Sequence, residues 1–179
     1  MERTLKEKLD DSHILFITSD LNAESASEII FKILKWSNES PKEEIKLYIS
    51  SETYDFVNAV AIYDVLNNIS NPISAFCIGH VGGYATLFLA VATKGKRYAL
   101  KHTTISLNQP YGFLGSGTNQ QTEVEIEARE TLHQRITFEE ILSKQLGIDL
   151  KTIHEDVDAD KEFSALEAQK YGLIDEVLR

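Results

Sequence analysis

The sequence predicts a single α/β domain built around a mostly parallel sheet. Short apolar runs rich in β-branched residues alternate with segments of helical periodicity, and no repeat or low-complexity linker interrupts them. The length of 179 residues suits one domain with a substantial core. Because strands that alternate with helices are usually joined by crossover connections, we expect neighbouring strands to run parallel.

Composition and charge exclude several classes of function. Apolar residues make up 42% of the chain and charged residues 26%, as in an ordinary soluble globular protein. The formal net charge of −10 disfavours a nucleic-acid partner, whose phosphates need a basic surface. No signal-peptide pattern or membrane-length apolar run is present, so we expect a cytoplasmic protein, or an organellar one after processing, without membrane association.

The sole cysteine, Cys77, excludes an intramolecular disulfide. It lies in an apolar run and has no metal-ligand spacing around it, so we predict a buried structural thiol. No other pattern in the sequence indicates a metal or a cofactor, and we expect neither.

The first half of the chain alternates strands and helices of ordinary length. Runs rich in β-branched residues predict strands, and apolar residues at helical spacing predict helices. On these grounds we predict strands at 13–18, 45–49 and 73–78, and helices over 23–36 and 57–69. The polar segment from Ser37 to Pro41 is expected to stop the first helix.

The second half begins with a glycine-rich turn, 79–83, and continues the same alternation. We predict helices over 84–92 and 122–146, strands at 97–100, 103–107 and 173–178, and a loop over 110–119. Ser164 and Glu167 have the spacing of a capping box, in which the two side chains bond the first free amides of a helix. Gly172 is expected to end that helix.

The turn at 79–83 is a place where an enzyme would present a nucleophile. A sharp turn between a buried strand and an apolar helix exposes one side chain, and the helix N-terminus supplies amide donors beside it. The position that would carry the hydroxyl is Gly83, which has no side chain.

Several motifs, in order along the chain, resemble the ClpP family of Clp protease proteolytic subunits. They are Cys77 to Ala90, Ala61 to Asp64, Lys94 to Leu100, Asn108 to Pro110, Glu125 to Glu130 and Tyr171 to Asp175. The resemblance extends from about His13 to the C-terminus and implies the ClpP/crotonase-like fold, with a protruding handle helix. It implies one domain over 1–179, with a short N-terminal segment at 1–12 and a handle loop and helix at 111–146.

The resemblance also identifies where the family's catalytic triad falls. The serine position is Gly83, the histidine position is Asn108 and the aspartate position is Asp160. An asparagine cannot take up and return a proton near neutral pH, as the triad histidine must. On this basis we predict a degenerate, ClpR-like member that is not an enzyme, in which Asp160 is an ordinary solvated or capping carboxylate.

The glycine-rich stretch that supplies oxyanion-stabilising backbone in the family is altered as well. Its two glycines are replaced here by Thr53 and Tyr54, so a conformation that only glycine adopts easily is lost. The loss of one oxyanion donor costs about 100-fold to 1,000-fold in rate. We therefore expect a degenerate oxyanion loop.

Three alternatives stay open. A serine peptidase with a rearranged site would use Ser106, which shares a strand face with Asn108, or His80, but the sequence places no base beside Ser106. A free-standing peptide-binding homo-oligomer would hold its ligand with Tyr54 and Tyr84. An acyl-CoA enzyme of the crotonase type is disfavoured by the short chain and by the replacement of the two glycines by Thr53 and Tyr54.

The surfaces implied by the resemblance predict a structural or regulatory subunit. ClpP subunits form stacked heptameric rings on which an AAA+ unfoldase docks, so we expect a ring with an active ClpP paralogue. The loop before the handle helix is long for the family, Ala159 replaces a frequent arginine, and the axial segment at 1–12 is short. The residues matching the unfoldase-docking pocket are Tyr48, Phe76, Ile78, Tyr98 and Leu100.

Overall fold

The computed structural model describes residues 4–110 and 121–179, which form seven helices and seven strands. In chain order these are α1 (Leu5–Asp11), β1 (Ile14–Ile17), α2 (Ala23–Glu39), β2 (Ile45–Thr53), α3 (Phe56–Asn68), β3 (Ile73–Gly83), α4 (Thr86–Ala90), β4 (Arg97–Leu100), β5 (Thr104–Leu107), α5 (Gln121–Leu146), α6 (Leu150–Asp158), β6 (Lys161–Ser164), α7 (Ala165–Tyr171) and β7 (Glu176–Leu178).

The predicted α/β class with a mostly parallel sheet is confirmed. Strands β1, β2, β3, β4 and β7 lie side by side in that order, and each pairs in parallel with its neighbour. Farther along β3, β5 pairs with it in parallel, and β6 then pairs antiparallel with β5. The strand that begins at Ile73 therefore has different partners at its two ends.

The two faces of the sheet have different surroundings. On one face the side chains are fully buried and form the core with the helices; they include Leu47, Ile49, Ala75, Cys77 and Ala99. On the opposite face, most of the alternate residues of the same strands are half-buried or exposed, and Ser74 near the start of β3 is buried. This arrangement follows from the period of two along a strand, which sends successive side chains to opposite faces.

β3 is longer than its sequence predicts. The predicted end at Ile78 is wrong, because pairing with β2 continues to Gly83. The register shifts after Ile49, where two additional residues of β3 bulge out of the ladder. Gly79 lies in this bulge with φ +67°, a conformation that glycine adopts without steric cost. The glycine-rich segment is therefore a bulged strand that delivers Gly83 to the edge of the site.

Helix boundaries also differ in part from the predictions. α2 continues through residues 37–39, which were expected to stop it, and α4 is shorter than the predicted 84–92. Neither α1 nor α6 was predicted; α1 begins with a capping box between Thr4 and Glu7. The predicted capping box of Ser164 and Glu167 is confirmed, as is the end of α7 at Gly172.

The predicted loop at 110–119 falls almost entirely outside the described residues, whereas the long helix that follows is confirmed as α5. Its first four turns leave four large apolar side chains exposed: Val124, Ile126, Leu132 and Ile136. Its last two turns pack into the core through Phe138 and Leu142, which are fully buried. Among the described residues, no helix combines the length and apolarity needed to cross a membrane.

Candidate functional site

The carboxyl ends of β3 and β5 bring two of the predicted triad positions into direct contact. The backbone N–H of Gly83, at the end of β3, donates to Asn108 Oδ1 across 3.2 Å. Asn108 lies just after β5, and its amide oxygen is half-buried beside the turn. The structure therefore assembles the positions predicted for a nucleophile and its base, although neither residue carries the expected chemistry.

Asp160 lies at the same edge but bonds to the backbone. Its Oδ1 accepts the backbone N–H of Gln109 across 2.8 Å, while the Gln109 side chain donates to the carbonyl of Asp158. Asp160 has φ +45°, at the turn between α6 and β6. The carboxylate therefore holds the segment after β5 in place, as an ordinary structural residue does.

The backbone of Thr53 closes over Gly83. Thr53 is fully buried and its carbonyl accepts the N–H of Tyr84 across 2.8 Å. An N–H in this position, one residue after a nucleophile, commonly stabilises the oxyanion in hydrolases. Here that N–H is engaged, and a Cβ at residue 83 would lie 2.4 Å from the Thr53 carbonyl oxygen.

The two tyrosines near this turn have different surroundings. Tyr54 donates its hydroxyl to Glu52 Oε1 across 2.7 Å at the surface. Tyr84 is only 2% exposed and packs edge-on against Phe56 and Phe138, and burial raises the pKa of its hydroxyl. No described residue hydrogen-bonds the Tyr84 hydroxyl. Tyr84 therefore offers a bound peptide almost no surface.

A serine and a histidine meet beside the turn. Ser106 Oγ lies 3.4 Å from His80 Nε2, and His80 Nδ1 lies 2.8 Å from Thr104 Oγ1. The expectation that no base lies beside Ser106 is therefore wrong. The bulge at Gly79 shifts the strand so that His80 pairs with Thr104 on β5, a register that a sequence does not display. Thr104 is a member of this group that the sequence analysis missed.

A row of stacked aromatic rings crosses the open face of the sheet. Tyr48 stacks on Phe76 with ring centroids 4.8 Å apart, and Phe76 stacks on Tyr98 at 5.0 Å. Phe16 of β1 continues the row at 5.2 Å from Tyr48, and it was not predicted. The alternation along β3 and β4 puts the other two predicted docking residues, Ile78 and Leu100, on this face. We call Phe16, Tyr48, Phe76 and Tyr98 the aromatic row.

Within residues 4–110 and 121–179, no three histidine, cysteine or acidic side chains come together as metal ligands. Cys77 is buried, as predicted, and burial raises its pKa to about 12. The side chains that meet beside Gly83 carry hydroxyl, imidazole and amide groups.

The family model and the similar proteins all indicate the same family. The family model for Clp protease matches residues 2–179. Proteolytic subunits 2 and 3 of the ATP-dependent Clp protease of Frankia casuarinae are each 36% identical to this chain. These alignments cover 96% of this chain and 78% and 79% of the relatives. Proteolytic subunit 2 of Streptomyces avermitilis is 35% identical, over 96% of this chain and 84% of its own.

These comparisons correct one prediction. The prediction that the chain is not an enzyme is wrong, because the relatives are named as proteolytic subunits and the family model is that of a protease. That prediction rested on Gly83, on Asn108 and on the altered oxyanion loop at Thr53 and Tyr54. A missing hydroxyl at one position does not remove the chemistry of a neighbouring Ser106 and His80. The finer resemblance to ClpR-like members stays a prediction.

Proposed function

This chain belongs to the Clp protease family, and on that premise we propose that it is a proteolytic subunit of an ATP-dependent Clp protease. The observation that carries the proposal is the match over residues 2–179, joined to identities of 35–36% with subunits of that name. The chain forms one domain over 1–179 and acts in an oligomeric ring of ClpP-type subunits, in the cytoplasm.

Exposed apolar side chains along α5 support assembly with another subunit. Val124, Ile126 and Leu132 are 39%, 50% and 56% exposed, and Ile136 is 44% exposed one turn further on. Apolar side chains at this density along one helix are typical of an interface between proteins. The partner is a ClpP-type ring, either of this chain or of a paralogue, and the handle at 111–146 forms the contact.

The aromatic row supports docking of an AAA+ unfoldase on the open face of the sheet. Large planar rings supply contact area at low cost in side-chain entropy, which is why aromatic residues are enriched at binding hot spots. Phe16 is 47% exposed and Leu100 is 44% exposed at the margins of the row. An apolar loop of the unfoldase would cover these side chains.

Paired variants test the docking proposal. Tyr98→Ser removes one ring of the aromatic row, and we expect it to weaken unfoldase-dependent degradation at least about 10-fold, the effect of a single hot-spot residue. Phe31→Ser is the control, since Phe31 is an exposed aromatic residue (71%) on α2 that is not a member of the row. Unfoldase-independent hydrolysis of a short peptide is measured with both variants.

Assembly is tested by the mass of the purified chain, alone and mixed with a ClpP-type subunit of the same organism. We expect a ring in at least one sample, and Leu132→Asp on α5 breaks the stacking of two rings. A chain that stays monomeric in both samples contradicts the proposal. A homo-oligomer that binds peptides without any unfoldase supports the free-standing binding protein instead.

A further inference from the structure

Three polar side chains follow one another at alternate positions near the end of β5. Thr104, Ser106 and Asn108 therefore point to the same face. His80 on β3 is the register partner of Thr104, so its imidazole lies beside this row. The bulge at Gly79 gives His80 this position. The chain thus puts a hydroxyl, an imidazole and an amide in one group beside the turn.

The hydrogen bonds of His80 suit it to accept a proton from Ser106. When Nδ1 carries the ring proton, it donates to Thr104 Oγ1 at 2.8 Å, and the lone pair of Nε2 faces Ser106 Oγ at 3.4 Å. Hydrogen bonds between nucleophile and base are often this long before substrate binds. Thr104 thereby orients the imidazole, a role that an acidic residue has in many serine hydrolases.

Gly82 makes room for the pair. A Cβ at residue 82 would lie 2.6 Å from Ser106 Oγ and 2.8 Å from His80 Nε2. Both distances are shorter than the contacts that Cβ atoms make in proteins, so a side chain at residue 82 would push Ser106 and His80 away. The second glycine of the turn is therefore required for this arrangement, for reasons of space.

The amide oxygen of Asn108 lies between the Ser106 hydroxyl and the Gly83 N–H. This atom, Oδ1, accepts both the Ser106 hydroxyl at 2.5 Å and the Gly83 N–H at 3.2 Å. A peptide carbonyl at this spot would have its carbon next to Ser106 and its oxygen next to the Gly83 N–H. The side-chain amide of Asn108 is itself a carboxamide, the same group as a peptide bond.

From this geometry, and resting on the proposed function, we infer that Ser106 is the nucleophile of this chain and His80 its general base. Ser106 Oγ attacks the carbonyl carbon of a peptide as its proton passes to His80 Nε2, and the carbonyl π pair moves to the oxygen beside the Gly83 N–H. The C–N bond then breaks, and the leaving amine takes the proton from His80. A water molecule then gives a proton to His80 Nε2 and attacks the acyl ester. The bond between the acyl carbon and Ser106 Oγ breaks, and His80 returns the proton to Ser106.

Asn108 limits this reaction, and Thr104 acts as a positioning residue. Ser106 is 4% exposed and its hydroxyl proton now points to Asn108, so turnover requires the Asn108 side chain to swing away. Asn108→Ala is consequently expected to raise the rate at which Ser106 attacks the peptide carbonyl. Thr104→Val lowers kcat at unchanged KM and alters the pH profile, whereas Thr104→Ser keeps the wild-type values.

The test combines a serine-directed fluorophosphonate probe with a fluorogenic peptide, on the oligomer whose mass is measured in the same sample. We expect a probe adduct that mass spectrometry maps to Ser106. Ser106→Ala removes the adduct and lowers hydrolysis on the order of 1,000-fold or more. His80→Gln lowers hydrolysis about 100-fold or more. Ser74→Ala leaves both unchanged; Ser74 is 2% exposed and lies near the start of β3.

Two results would overturn the inference: wild-type hydrolysis by Ser106→Ala, or an assembled oligomer that neither cleaves the peptide nor carries an adduct. Either leaves the proposed function standing, because assembly and unfoldase-dependent degradation are read separately. An adduct on Ser106 in a chain that does not assemble upholds the inference and contradicts the proposed function. Folding of each variant is checked by its unfolding midpoint.

Discussion

Replacement of Gly83 by serine, which would restore the hydroxyl of a Clp nucleophile, is expected to destabilise the chain. Gly83 has φ +54°, a left-handed conformation that costs other residues roughly 1–2 kcal/mol. The new Cβ would also lie 2.4 Å from the Thr53 carbonyl oxygen, which belongs to the backbone and cannot turn aside. Crowding of this kind costs about 1–3 kcal/mol. The sum for Gly83→Ser is about 2–5 kcal/mol.

Gly147→Ser is the matched control for this prediction. Gly147 has φ +71°, but nothing lies within 4 Å of an added Cβ, so only the conformational cost of about 1–2 kcal/mol applies. Urea unfolding at equal protein concentration measures both variants, since assembly alters apparent stability. If Gly83→Ser is as stable as Gly147→Ser, the Thr53 carbonyl does not crowd residue 83 and the reasoning is refuted.

Three further predictions concern the core and its ion pairs. Arg97 Nη2 lies 2.6 Å from Asp175 Oδ1, and the Arg97 side chain is only 9% exposed. Asp175→Ala leaves this buried charge without its partner, so we expect it to cost about 3–5 kcal/mol in urea unfolding. Glu155→Ala, in an exposed pair with Lys151, is expected to cost under about 1 kcal/mol. Burial opposes the charge of Asp175, but hydrogen bonds from Arg97 outweigh burial and lower the pKa of this carboxyl. The stabilisation it provides is complete above the ordinary pKa of about 3.9 and is lost as the pH falls through the lowered pKa. Acid unfolding of wild type is therefore steeper than that of Asp175→Asn, and parallel curves would refute this. Cys77, fully buried with a pKa raised to about 12, is expected to react with a thiol reagent only after unfolding, and labelling of the native chain at the rate seen in urea would contradict its burial.

Local sequence patterns predict most strands and helices of this chain because its buried strands are short and rich in β-branched residues. They fail at β3, where three glycines and a histidine within 79–83 indicate a turn. The chain instead continues as a strand, because the bulge at Gly79 lets residues 81–83 pair with β2. Long-range ladder hydrogen bonds therefore override a local turn signal.

The site was predictable in its positions but not in its contacts. The sequence predicts that Ser106 and Asn108 share a face, since that depends only on the period of a strand. It does not show that His80 lies beside Ser106, because this contact depends on how β3 is registered against β5 after the bulge. Phe16 was missed for the same reason: its place beside Tyr48 depends on the pairing of β1 with β2.

The most direct test of the proposed function is the native mass of a mixture of this chain with a ClpP-type subunit whose own nucleophilic serine has been replaced by alanine. Degradation of a folded substrate by the cognate unfoldase is followed in the same mixture. We expect rings that contain this chain, and, if Ser106 is its nucleophile, a degradation rate that falls when Ser106 is replaced by alanine. Rings formed only by the other subunit, with this chain left as a monomer, would contradict it.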